Sequence, residues 1–154
     1  MIIYTDGACS ANGTIHSSGG YAVVVFNDEE KYVCSHSKHC DGTSNNREEL
    51  KAILFTLLKY GHLNPIVYSD SAYAINTLTT WMFNWERNGW IKADGRKPEN
   101  LDLIQPFFKY WQKGFRIRLR KVKGHSGNLG NEMADKLATG MSVEEVENKY
   151  IKEK

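Results

Sequence analysis

The order of β-rich and helix-patterned runs constrains this chain most. Three β-rich runs come first: Ile2-Ile3-Tyr4-Thr5, then Tyr21-Ala22-Val23-Val24-Val25-Phe26, then Lys31 to His39. Asn27-Asp28-Glu29-Glu30 reads as the hairpin turn between the last two, and Gly7 to Gly20 as a turn-rich loop. Only then does helical spacing begin. Leu50, Ile53, Leu54, Leu57 and Leu58 share one face of a helix from about Asn46 to Tyr60, with cap candidates from Thr43 to Asn46. A short run, Ile66-Val67-Tyr68-Ser69, follows, then a helical stretch from Ser71 to Leu78 and a basic helical insertion. Arg116 to Val122 reads as a last strand. Asn131 to Thr139 places Met133, Ala134, Leu137 and Ala138 on one helical face. Ser142-Val143-Glu144-Glu145 has the form of a capping box for a final short helix. Three antiparallel strands followed by strands alternating with helices predict an α/β fold (α+β in some schemes). Its mixed five-stranded sheet carries helices packed on it.

That order gives four carboxylates a common address. Asp6 follows the first strand and Asp70 the fourth, at strand ends where α/β folds place ligand sites. Glu49 stands in the first turns of the helix after Asn45-Asn46-Arg47, and Asp135 stands in the helix after Gly124-His125-Ser126-Gly127. Gathered in one pocket, four such groups repel one another unless cations neutralise them. Oxygen-only ligands suit Mg²⁺, and two such ions can serve phosphodiester hydrolysis.

Charge is uneven. Residues 1–80 carry net −3, residues 81–123 net +7, and residues 124–154 net −2. A basic middle beside an acidic cluster suits a polyanion approaching a metal-filled site. The length of 154 residues suits a single domain, 1–154. Its apolar runs are a few residues long, far short of the roughly 20 a membrane helix needs, and Met1 to Asp6 has no signal-peptide character. Cys9, Cys34 and Cys40 are odd in number and lack a CxxC pattern, so they read as reduced thiols of a cytoplasmic protein. His36 and His39 between Cys34 and Cys40 read as surface histidines rather than zinc ligands.

The motifs Tyr4-Thr5-Asp6-Gly7, Asn45-Asn46-Arg47-Glu48-Glu49-Leu50, Ser69-Asp70-Ser71-Ala72-Tyr73, Lys123-Gly124-His125-Ser126-Gly127 and Asn131-Glu132-Met133-Ala134-Asp135 occur in an order and spacing that resemble type 1 ribonuclease H. The resemblance covers about residues 1–140. It implies a metal-dependent endoribonuclease that cleaves the RNA strand of RNA–DNA hybrids with two Mg²⁺ ions, or Mn²⁺ in their place, leaving 5′-phosphate and 3′-hydroxyl ends. By the same resemblance Asp6 bridges both ions, Asp135 helps hold the one at the attacking water, and Glu49 and Asp70 help hold the one at the leaving oxygen. His125 has an auxiliary role in proton transfer or product release. The motif makes Glu49 the ligand and Glu48 the variable position. Adjacent helical residues point about 100° apart, so replacing Glu48 by Gln is expected to cost little.

The resemblance also implies substrate contacts. The loop from Cys9 to Asn12, Asn45, Asn46 and Glu49 would meet RNA riboses, whose 2′-hydroxyl marks the strand to be cut. Ser44 and Asn84 would hold a DNA phosphate. A basic handle at about 81–99 would embrace the DNA strand through Trp81, Trp85, Arg87, Trp90 and Lys92, with Lys123 adding a further contact. Trp81 and Trp85 share a helical face, with Trp81 the one half-assigned to core packing. Gly42, Ala72, Glu86 and Asp94 depart from the family pattern and bear on affinity. The protein is expected to be a monomer, with residues 141–154 a helical extension. The alternative is a catalytically silent hybrid-binding module, which a missing carboxylate would favour; all four are present.

Overall fold

The computed structural model of the chain describes residues 1–10, 17–122 and 128–152. Strands β1 (Ile2–Ser10), β2 (Ser18–Phe26) and β3 (Tyr32–Asp41) lead into helix α1 (Asn45–Tyr60). Strand β4 (Ile66–Ser69) and helix α2 (Ala72–Asn76) follow. A π-helical turn over Thr77–Trp81 runs on into α3 (Met82–Arg87). Helix α4 (Leu101–Gln112), strand β5 (Arg118–Lys121) and helices α5 (Leu129–Ala138) and α6 (Val143–Glu147) complete the order, with a second π-helical turn over Asn148–Lys152.

The five strands lie in the order β3-β2-β1-β4-β5. β3, β2 and β1 pair antiparallel, while β1, β4 and β5 run parallel. Strand alternation splits the apolar residues between two layers. Ile3, Val23, Val25 and Val67 face α1 and α4 through Leu50, Ile53, Leu57, Ile104 and Phe107. Ala22, Val24 and Phe26 face the other way, onto Met133, Ala134 and Leu137 of α5 and Val146 of α6. The central sheet is thus covered on both faces, which fixes β1 between α1 and α5.

The expected strand order is present, with three differences. β1 continues through Asp6 to Ser10 because Asp6 to Ser10 pair with Ala22 to Ser18 of β2. Asp6 is therefore mid-strand, although its parallel pairing with β4 stops at Tyr4. The expected loop over Gly7 to Gly20 is strand at both of its ends, through Ser10 in β1 and from Ser18 in β2. Second, β5 spans only four residues, its length set by pairing with the four of β4. Third, α4 carries Pro106 in its interior, a residue that removes a helical hydrogen bond. Burial of Ile104, Phe107 and Phe108 against the core compensates. The capping box at Ser142 and Glu145 is formed as expected.

Among the described residues, no helix is long and apolar enough to cross a membrane.

Candidate active site

Three carboxylates converge where the parallel pairing of β1 and β4 ends. Asp6 lies on β1 two residues past its last parallel partner, Asp70 follows the last residue of β4, and Glu49 stands in the first turns of α1. One oxygen from each lies within 4.8 Å of the others. Asp6 and Glu49 are buried, at 7% and 6% exposure, while Asp70 opens to solvent.

The approach of α1 to β1 depends on Gly7. A Cβ there would sit 2.3 Å from the Glu49 amide nitrogen and 2.4 Å from the Glu48 carbonyl carbon. With only hydrogen present, the Gly7 amide donates to Oδ1 of Asp6 at 2.9 Å and to Oε1 of Glu49. Ser69 Oγ donates to the other Glu49 oxygen at 3.4 Å.

Electrostatics mark this as a strained cluster. Burial pushes both Asp6 and Glu49 above the usual carboxylate range, and their mutual hydrogen bond sets Glu49 highest, as the proton donor to Asp6. The Asp70 charge raises both, and Asp135 adds to the effect on Asp6. Asp135 thus acts on the cluster from α5, where it is exposed, without joining the close three. Two buried carboxylates and an exposed one, held on β1, on α1 and just after β4, fit hard divalent cations, and the donor set contains no sulfur or imidazole.

Beside this cluster lies the start of α1. Ser44 caps the helix, its Oγ accepting from the Arg47 amide at 3.2 Å, and Asn45 and Asn46 stand exposed in the first turn. Cys9 reaches the same segment, its thiol 3.5 Å from the Thr43 carbonyl oxygen. Cys9, Ser44, Asn45, Asn46 and Glu49 therefore share one region. Asn12, Lys123 and His125 lie outside the described residues.

The 77–100 segment forms a second region. Tyr73, Trp81, Trp85, Lys92, Ala93, Asp94 and Glu99 line an open cavity of about 530 Å³. Trp81 and Trp85 have ring centroids 6.2 Å apart, and Tyr73 meets Trp81 edge-on at 6.5 Å. Asn84 is exposed and accepts from Arg87. The division of labour among the tryptophans differs from expectation. Trp81 is 39% exposed, whereas Trp85 and Trp90 are half-buried and pack on the main core. Trp90 turns inward because its backbone takes φ 64°, which sets its ring edge-on to Phe108 at 5.5 Å.

Sequence reading missed what joins the two regions. Arg47 donates from both Nη atoms to Asp102, at 3.0 and 2.8 Å, and to Asn100 Oδ1 at 3.1 Å. Asn100 in turn donates to the Tyr73 hydroxyl at 3.0 Å. This chain ties the start of α1 to the start of α4 and to a wall of the aromatic cavity. Its one sequence signal was Arg47 inside the Asn45-Asn46-Arg47 motif; Asp102 and Asn100 carry none.

Comparison with known proteins agrees with this layout. A family model described as RNase H matches residues 1–142. The chain is 40% identical over 142 residues to a ribonuclease H of Syntrophomonas wolfei, an alignment covering 90% of this chain and 92% of that one. Among solved structures, LC9-RNase H1, described as a type 1 enzyme with the type 2 active-site motif, superposes with a TM-score of 0.71 at 27% identity, over 90% of this chain and 69% of that one. The PFV RNase H domain, at 22% identity and a TM-score of 0.77, covers 90% of this chain and 91% of its own and shares the fold.

Proposed function

The chain belongs to the ribonuclease H family of enzymes, and from that premise we propose that it hydrolyses the RNA strand of RNA–DNA hybrids, using two divalent cations at Asp6, Glu49, Asp70 and Asp135. The observation that carries this reading is the convergence of Asp6, Glu49 and Asp70 within 4.8 Å beside the exposed Asn45 and Asn46.

The donor chemistry fits the metal. Three carboxylates at this spacing repel one another, and the buried pair keeps its proton unless a cation replaces it. When bound, Mg²⁺, or Mn²⁺ in its place, supplies charge neutralisation and Lewis acidity for in-line attack of water on a phosphodiester, leaving 5′-phosphate and 3′-hydroxyl ends. Asp6 touches Glu49 and feels both Asp70 and Asp135, so it is the carboxylate suited to serve both ions. The Gly7 amide and Ser69 hydroxyl hold Glu49 in a single orientation as it ionises. His125, next to the site in the family pattern, would carry protons near neutral pH.

Strand choice follows from what surrounds the carboxylates. The amides of Asn45 and Asn46 both donate and accept, as a ribose 2′-hydroxyl does. Ser44 and Asn84 would take a DNA phosphate, and the aromatic cavity of Trp81, Trp85 and Tyr73 with Lys92 would take sugars and phosphates of the uncut strand. Contacts to backbone and sugar carry little sequence information, so cleavage should be nearly sequence-independent.

The test is a set of labelled substrates in Mg²⁺: hybrid, single-stranded RNA, double-stranded RNA and double-stranded DNA. Cleavage confined to the RNA of the hybrid, with 5′-phosphate products, is expected. Tight hybrid binding without cleavage would instead make the chain a silent hybrid-binding module. Equal cleavage of all duplexes would reject the assigned strand choice.

A further inference from the structure

Glu48 is not at the surface. It is 1% exposed, about 100° around α1's first turn from Glu49. Its Oε2 accepts from Thr43 Oγ1 at 2.6 Å and pairs with Lys51 Nζ at 2.7 Å, with the Cys40 thiol at 3.7 Å. A buried carboxylate so fully engaged is retained for a structural consequence, because a surface glutamate would avoid the desolvation cost altogether.

That consequence runs through Thr43. Its amide donates to the buried Ser17 hydroxyl at 2.6 Å, and its carbonyl is met by Cys9. Its side chain is the one held by Glu48. Thr43 directly precedes Ser44, Asn45 and Asn46; it is buried, Ser44 is half-buried, and Asn45 and Asn46 are exposed. A segment that must present one hydroxyl and two amides to a nucleic acid backbone needs a fixed root. Thr43 is that root and Glu48, steadied by Lys51, is its anchor.

We infer that Glu48 is a positioning residue for substrate: through Thr43 it sets the Ser44–Asn46 segment in place for the hybrid, an inference that rests on the function proposed above. The two neighbouring glutamates then divide their work, Glu49 turned to the metals and Glu48 to the substrate-contacting segment. Glutamine at position 48 keeps an oxygen for Thr43, so that exchange should cost little, whereas loss of the oxygen should cost more.

Three variants test this: Thr43→Val, which keeps the shape and leaves Glu48 paired with Lys51, Glu48→Ala, and Glu48→Gln as the conservative rescue. The first readout needs no substrate. Hydrogen exchange at the amides of Thr43 and Arg47, the latter bonded to Ser44, should quicken by about tenfold in Thr43→Val and less in Glu48→Gln, in line with a lost buried hydrogen bond. The second is steady-state cleavage. Thr43→Val and Glu48→Ala should raise KM for the hybrid by about tenfold with kcat changed far less, Glu48→Gln should recover most of that loss, and the Thr43→Val/Glu48→Ala double variant should be no worse than either single one. Unchanged exchange in Thr43→Val overturns the anchoring. Faster exchange with unchanged KM overturns the link to substrate and leaves a purely structural bond. A wild-type protein that cleaves no hybrid overturns the proposed function instead, and it does so whatever the exchange data show about Thr43.

Discussion

At Glu49, burial and hydrogen bonding act together: the side chain is 6% exposed, bonded to Asp6 and to the Gly7 amide, and its ionisation is pushed upward. The folded protein without metal therefore holds protons on Asp6 and Glu49 that the unfolded chain loses near the ordinary values of 3.8 and 4.5. Above those values the unfolded state binds fewer protons, so this pair makes metal-free stability fall as pH rises toward neutrality. Thermal melts in chelator between pH 4.5 and 7.5 should show that decline, and added Mg²⁺ should offset it; a melting temperature that climbs in chelator and ignores Mg²⁺ would contradict it. Gly7 offers a sharper residue-level test. Gly7→Ala forces a Cβ against the Glu48–Glu49 peptide, so stability should drop by about 1–3 kcal/mol. Displacing Glu49 by even 1 Å should cost about 100-fold in turnover, read from denaturation and cleavage side by side. Asp6, Glu49 and Asp70 were legible in the sequence as a cluster because the short apolar runs before Asp6 and Asp70 and the helix start at Glu49 put them together, although Asp6 turned out to lie mid-strand. Glu48 was not: Lys51 is its i,i+3 neighbour, but helical spacing does not reveal that Glu48 is buried and held against Thr43.

The elements show where local pattern suffices and where packing decides. α1 is capped by Ser44, and Leu50, Ile53 and Leu57 are buried as their spacing predicts, whereas Leu58 of the same expected face is 42% exposed. α6 starts on a capping box that four residues spell out. β1 runs five residues further than its apolar start suggests, because backbone pairing with β2 extends a strand regardless of side-chain pattern. Likewise, Trp85 and Trp90 turn onto the core while Trp81 stays open, a choice set by Phe108 and the backbone at Trp90. The 77–100 segment should still serve as the basic handle, through its charges. Replacing Arg87, Lys92, Arg96 and Lys97 with alanine should raise KM for hybrid more than it lowers kcat. Each lost phosphate contact should reduce the salt slope of log K by about 0.9, the B-DNA figure. Binding measured across a salt series in Ca²⁺ decides this, and an unchanged affinity and slope would leave these charges as a solvated face.

Across the whole molecule, the mixed sheet order β3-β2-β1-β4-β5 puts β1 at the centre, covered by α1 on one face and α5 on the other. Three antiparallel strands followed by alternating strands and helices made the mixed five-stranded sheet readable from the sequence, but not the order that centres β1. The tie from Arg47 through Asp102 and Asn100 to Tyr73 was not readable, because it joins residues more than fifty positions apart through a left-handed Asn100. It makes the carboxylate cluster and the aromatic cavity parts of one surface, as a duplex-cleaving enzyme requires. The clustered carboxylates are proposed to hold the cations that cut RNA. The direct measurement compares hybrid cleavage by the wild-type protein with Asp6→Asn and Asp70→Asn at saturating Mg²⁺, with circular dichroism confirming the fold of each. Folded variants are expected, melting as high as or higher than wild type in chelator because a repulsive charge is gone, with cleavage reduced by at least about 100-fold. Cleavage near the wild-type rate in either variant would contradict that proposal.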